Sequence, residues 1–141
     1  MEILIKKITR AFNLTSDLVD SLSDAQFTLT LNDLPSNTIG QQLWCLIGAR
    51  ESYLKAIQNS KWSGFSCSLQ NTTAQAEIMN CLKESFKNTI AFLNENTLSE
   101  IQLDFLLDLL EHEIQHHGQL IRYIYGNKLS FPKSWTKRYT V

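Results

Sequence analysis

The chain has 141 residues, 43% hydrophobic and 19% charged, with a formal net charge of −1. That length fits one domain, residues 1–141, with an adequate core, and so balanced a charge argues against a dedicated nucleic-acid binder. The three cysteines, Cys45, Cys67 and Cys81, lack paired spacing and imply no disulfide framework.

The charge is unevenly placed. Glu95, Glu100, Asp104, Asp108, Glu111 and Glu113 form an acidic stretch without Lys or Arg. Arg122, Lys128, Lys133, Lys137 and Arg138 follow, with no carboxylate side chain among them. A basic tail folded against an acidic neighbour, in the same or a second subunit, is the expectation. The opening residues, MEILIKKITRAF, break their apolar positions with charge, unlike a secretion signal, and no later run approaches membrane-spanning length. A cytoplasmic protein without membrane contact is expected.

Residues 2–22 read as an amphipathic helix, with Ile5, Ile8, Phe12, Val19 and Leu22 on one stripe and Thr15 filling its gap. Residues 23–36 form a long connector closed by Leu34-Pro35-Ser36, after which Ser36 or Asn37 can cap a second helix over about 37–59. Ile39, Leu43, Leu46, Ile47, Leu54 and Ile57 form its buried face, and Arg50 falls within that face. A buried Arg needs a carboxylate or several carbonyls. Cys45, Ala49, Ser52 and Ala56 make a flank of small residues suited to a close helix neighbour.

Residues 60–72 lack periodicity and read as a loop whose Trp62 and Phe65 fold back onto the bundle. Thr72 or Thr73 opens a third helix to about Asn94, with Ala76, Met79, Leu82, Phe86, Ile90 and Leu93 as its core stripe. A fourth helix spans about 101–126 and stops at Gly126-Asn127. The last stretch, LSFPKSWTKRYTV, reads as extended because of Pro132, anchored by Phe131, Trp135 and Tyr139. The fold class is therefore all-α, a four-helix bundle with long connections and an extended C-terminal tail.

The fourth helix carries the chemistry. Phe105, Leu109, His112, His116, Leu120 and Tyr123 share one stripe at about 100° per residue, so two imidazoles face inward. Burying an unpartnered polar ring costs about 1–3 kcal/mol. Two such rings at i and i+4 can share a metal ion, or each can bond to a protein group. His112-Glu113-Ile114-Gln115-His116 matches HExxH, the zinc-protease signature. No Asp or Glu side chain follows His116, and the adjacent His117 is rotated about 100° away. The protease reading lacks its third ligand.

A third ligand must come from upstream, where Cys45 on helix two is the strongest candidate. A thiolate with two imidazoles is a sound zinc set that leaves one position open; the alternative is a small cysteine packed as a hydrophobe. Glu113 lies on the buried side, where it can orient a ligand, pair with Arg50 or serve as a catalytic base.

The segments SNTIGQQLWCLIGARESYL and LLEHEIQHHGQLIRYIYG, with the ending FPKSWTKRY, resemble the DinB/YfiT-like superfamily. The resemblance covers helices two and four and the tail. It implies a four-helix bundle with a long connection between helices two and three, often a homodimer. It also implies a metal site of three histidines, one from helix two and two from helix four. His112 and His116 match the helix-four pair, and Cys45 stands where the helix-two histidine is expected. With sulfur in the set, zinc is favoured over nickel or manganese. Relatives include transferases and isomerases that use a low-molecular-weight thiol, mycothiol or bacillithiol, and metal-dependent hydrolases. The resemblance thus implies metal-dependent, thiol-dependent transfer onto a small-molecule electrophile. The alternatives are hydrolysis, or a metal-free bundle that acts by dimerising or binding a partner.

Overall fold

A computed structural model describes residues 1–141 as wholly helical, with five α-helices and no strand. These are α1 (Glu2–Asp20), α2 (Ile39–Asn59), α3 (Gln75–Glu95), α4 (Glu100–Gly126) and a short α5 (Lys133–Tyr139). A 3-10 turn, Asp24–Thr28, interrupts the first connector. The four long helices pack as a bundle in which α2 lies against α4 and α1 against α3, with the α2–α3 and α1–α4 faces closing the ring. In that ring α1 and α2 sit at opposite corners, as do α3 and α4.

The helix starts follow their capping chemistry. Thr38, rather than Ser36 or Asn37, caps α2: its hydroxyl accepts from the Gln41 amide at 3.1 Å, and Gln41 Oε1 accepts from the Thr38 amide at 2.9 Å. Ser99 and Gln102 form the same reciprocal box at α4. The start of α3 is capped from a distance. Neither Thr72 nor Thr73 serves; Asp24 Oδ1, from the 3-10 turn, accepts from the Gln75 amide at 2.9 Å.

Two readings of the chain are corrected. The buried stripe of α3 is Ile78, Leu82, Ser85, Thr89 and Leu93, while Ala76 is exposed and Met79, Phe86 and Ile90 are only half-buried. Ser85 and Thr89 hide on the inner face, so polarity misplaced its centre. The tail is not extended after Pro132, since residues 133–139 form α5 against α1. Pro132 ends the preceding segment with an extended backbone (φ −63°, ψ 152°) and leaves its carbonyl to accept from the Trp135 amide at 3.0 Å. Trp135 then drops fully into the core, and its indole N–H donates to the Leu14 carbonyl at 2.6 Å. A polar indole atom with a partner makes that burial favourable.

The core is in two parts. One gathers Leu18, Phe27, Leu43, Ile47, Leu120 and Trp135; the other gathers Ile8, Phe12, Ile57, Leu93, Leu106 and Leu109. Along α1, α2 and α4, the residues Thr15, Arg50 and Glu113 fall between the two parts and are all buried. A polar layer divides the bundle.

Gly40, at the start of α2, lets the loop before α3 cross closely. A Cβ there would lie 2.0 Å from the Thr72 carbonyl oxygen, whereas one at Gly118 would meet nothing within 4 Å. Gly40→Ala is expected to destabilise by about 1–3 kcal/mol through overpacking. In the same thermal melts Gly118→Ala should gain about 0.5–1 kcal/mol from helix propensity. Equal melting temperatures for the two variants would contradict the close approach.

Candidate metal centre

Cys45 of α2 and His112 and His116 of α4 meet where those two helices pack. Their ligand atoms all lie within 4.8 Å of one another. Cys45 Sγ is 3.8 Å from His112 Nε2, which is 3.1 Å from His116 Nε2. Around one tetrahedral zinc, two nitrogens would stand roughly 3.3 Å apart and nitrogen and sulfur roughly 3.6 Å apart, from ordinary bond lengths. The observed spacings straddle those values, so the group can hold a metal ion.

His116 is oriented by its other nitrogen. Its Nδ1–H donates to Gln42 Oε1 at 2.6 Å, which leaves Nε2 with its lone pair toward the cluster. Gln42 is fixed in turn, donating to Asn37 Oδ1 at 2.8 Å, and the Tyr123 hydroxyl also donates to Asn37 Oδ1, at 2.5 Å. Burial, and then the neighbouring His112 ring, push the His116 imidazole down to about 4. Burial lowers His112 as well. Both rings are therefore neutral near pH 7, the form that binds metal. Burial raises the Cys45 thiol, so a cation there would have to displace a proton.

The cluster opens on one side. Cys45 and His112 are half-buried, while His116 is buried. The Tyr53 ring stands 6.4 Å from His112 and is itself covered by Trp62 at 5.0 Å, and Phe65 packs on Trp44 at 5.0 Å. The loop after α2 thus folds back onto the Tyr53 and Trp44 rings, as expected, but Trp62 and Phe65 remain exposed at 41% and 43% rather than buried.

Glu113 and His117 belong to the polar layer. Arg50 Nε and Nη2 donate to the two Glu113 oxygens at 3.0 and 2.5 Å, and the guanidinium lies 3.7 Å over the Phe12 ring centroid. The Thr15 hydroxyl donates to Glu113 Oε1 at 2.5 Å and accepts from His117 Nε2 at 2.8 Å. His117 Nδ1 then accepts from the Tyr139 hydroxyl at 2.6 Å. Of the three roles open to Glu113 in the sequence, this geometry favours pairing with Arg50. Burial pushes its carboxyl up, but the Arg50 guanidinium, aided by His117, outweighs that and holds it at about 2. None of its hydrogen bonds reaches Cys45, His112 or His116. A carboxylate so placed is a poor proton acceptor near neutral pH.

Gln42, Thr15 and Tyr139 were not singled out for the site by sequence. Gln42 and Thr15 did carry a signal, a polar residue beside or within an apolar stripe. The expected contact between basic tail and acidic stretch is absent within the chain: the one Lys or Arg in an ion pair is Arg50. Compared with known proteins, the chain matches no family model and no curated protein.

Removing one partner from a buried ion pair costs about 3–5 kcal/mol, so Glu113→Gln should unfold far more easily at pH 7. The folded carboxyl at about 2 lies below its ordinary 4.5. Its stabilisation is therefore full above about pH 4.5 and is lost as pH falls through about 2. Denaturant melts between pH 5 and 2 should lose stability steeply in the natural protein and less steeply in Glu113→Gln. Parallel curves would contradict the pairing.

Proposed function

We propose that this chain is a metal-dependent enzyme of the DinB-like type, with zinc held by Cys45, His112 and His116, that transfers a small electrophile onto a low-molecular-weight thiol. The single observation behind this reading is the convergence of those three ligand atoms, with His116 oriented by Gln42. The sulfur in the set favours zinc over nickel or manganese. A zinc ion there would supply Lewis acidity, lowering the pKa of a thiol bound beside it.

The chain's own residues do the rest. Gln42 keeps the His116 lone pair turned to the cluster, and Tyr53 and Trp62 form an apolar wall beside His112. In the transfer, the thiol sulfur forms a bond to the electrophilic carbon. The leaving group departs with the bonding pair, and the thiol proton passes to solvent. Hydrolysis is less well served, because no carboxylate belongs to the cluster and Glu113 is committed to Arg50.

Protein purified without chelators should carry zinc by mass spectrometry, and Cys45→Ala and His116→Ala should carry nearly none. Removal of zinc should lower the melting temperature of the natural protein, since a ligand bound only by the folded state stabilises it. The zinc-loaded protein should accelerate reaction of a small thiol with 1-chloro-2,4-dinitrobenzene, and the two variants should not. Near-zero metal in all three proteins after soaking with zinc would leave the metal-free, partner-binding bundle instead.

A further inference from the structure

A groove with a volume of about 540 Å³ lies away from the metal cluster, between α1 and α5. That volume falls within the range of small-molecule sites. Its walls carry Lys6 and Arg10 from α1 and Lys137 and Arg138 from α5, against one carboxylate, Asp17. All four cations are exposed, and none has an ion-pair partner within 4 Å. Gathered on one groove without a counter-charge, they give it a positive field that attracts anions.

A second feature of the groove is independent of charge. Ser134, half-buried on α5, lines it, and its Oγ is shielded from solvent with no hydrogen-bond partner. Leaving a buried hydroxyl unpaired is unfavourable. To serve an anion in the groove that hydroxyl would have to change its χ1 rotamer, after which it could donate to an anion oxygen. Arg138 is steadied from behind, its guanidinium lying 5.3 Å over the Tyr139 ring centroid. Leu14 and the aliphatic stems of the longer side chains make most of its surface apolar, so it is the charged heads that would select an anion.

We propose that the groove between α1 and α5 binds a small phosphorylated molecule, its phosphate held by Arg10, Arg138 and the flanking lysines, with Ser134 as a hydroxyl donor. Guanidinium pairs favour phosphate because their fork matches its oxygens. The site is independent of the metal centre and of the activity proposed there.

Calorimetric titration of the full chain with glucose 6-phosphate tests it, with glucose and matched sodium chloride as controls. Saturable binding of the phosphate ester alone is expected. Arg10→Gln with Arg138→Gln should weaken it roughly tenfold or more, as the loss of charged hydrogen bonds predicts. Ser134→Ala should weaken it severalfold, and thermal melts should show all variants folded. No saturable binding at millimolar ester, or the same affinity in the arginine variants, would overturn the proposal. It would also fall if the natural protein sediments as a dimer that the arginine variants split, because the groove would then be filled by a second copy.

Discussion

The buried ion pair between Arg50 and Glu113 is the contact on which the rest of the architecture depends. Two charges taken out of water repay their desolvation only when hydrogen bonding is nearly complete. Glu113 meets that demand with two bonds from Arg50 and one from Thr15, while Arg50 leaves Nη1 without a hydrogen-bond partner and lies over the Phe12 ring. The pair ties α2 to α4 at one point of their packing. Cys45 lies little more than a turn before Arg50, and His112 and His116 flank Glu113. With the pair made, the thiol and the two imidazoles lie on the same stretch of the α2–α4 interface.

The same layer joins the ends of the chain. From Glu113 the hydrogen bonds run through Thr15 of α1 and His117 of α4 to Tyr139 of α5. His117 is thereby turned from its neighbour His116, one to the polar layer and the other to the cluster. Consecutive residues on a helix point about 100° apart, and here that angle separates a structural imidazole from a candidate ligand. The trapped Trp135, bonded to the Leu14 carbonyl, keeps α5 in place behind this layer.

Much of this was legible in the sequence because it follows from periodicity. The four long helices, the inward face of His112 and His116, and the need of Arg50 for a carboxylate all come from spacing and burial cost. Selection of Cys45 came by elimination among upstream donors, and the geometry places it beside the pair. What was not legible depends on contacts between distant segments. Asp24 caps α3 from 51 residues away in the chain (Asp24 to Gln75), which no local pattern signals. Ser85 and Thr89 face inward on α3, against their polarity, and Pro132 precedes a helix because Trp135 has a core site to fill. Gln42, the partner of His116, is separated from it by 74 residues.

The central claim is that the Cys45 sulfur and the two imidazoles hold one cation between α2 and α4. Cobalt titration followed by absorption spectroscopy tests it most directly, because cobalt adopts zinc's geometry and reports its ligands. The account predicts saturation at a single ion per chain, with intense tetrahedral bands and a near-ultraviolet thiolate-to-cobalt transition that vanishes in Cys45→Ser. A weak octahedral spectrum, or one unchanged in Cys45→Ser, would contradict it.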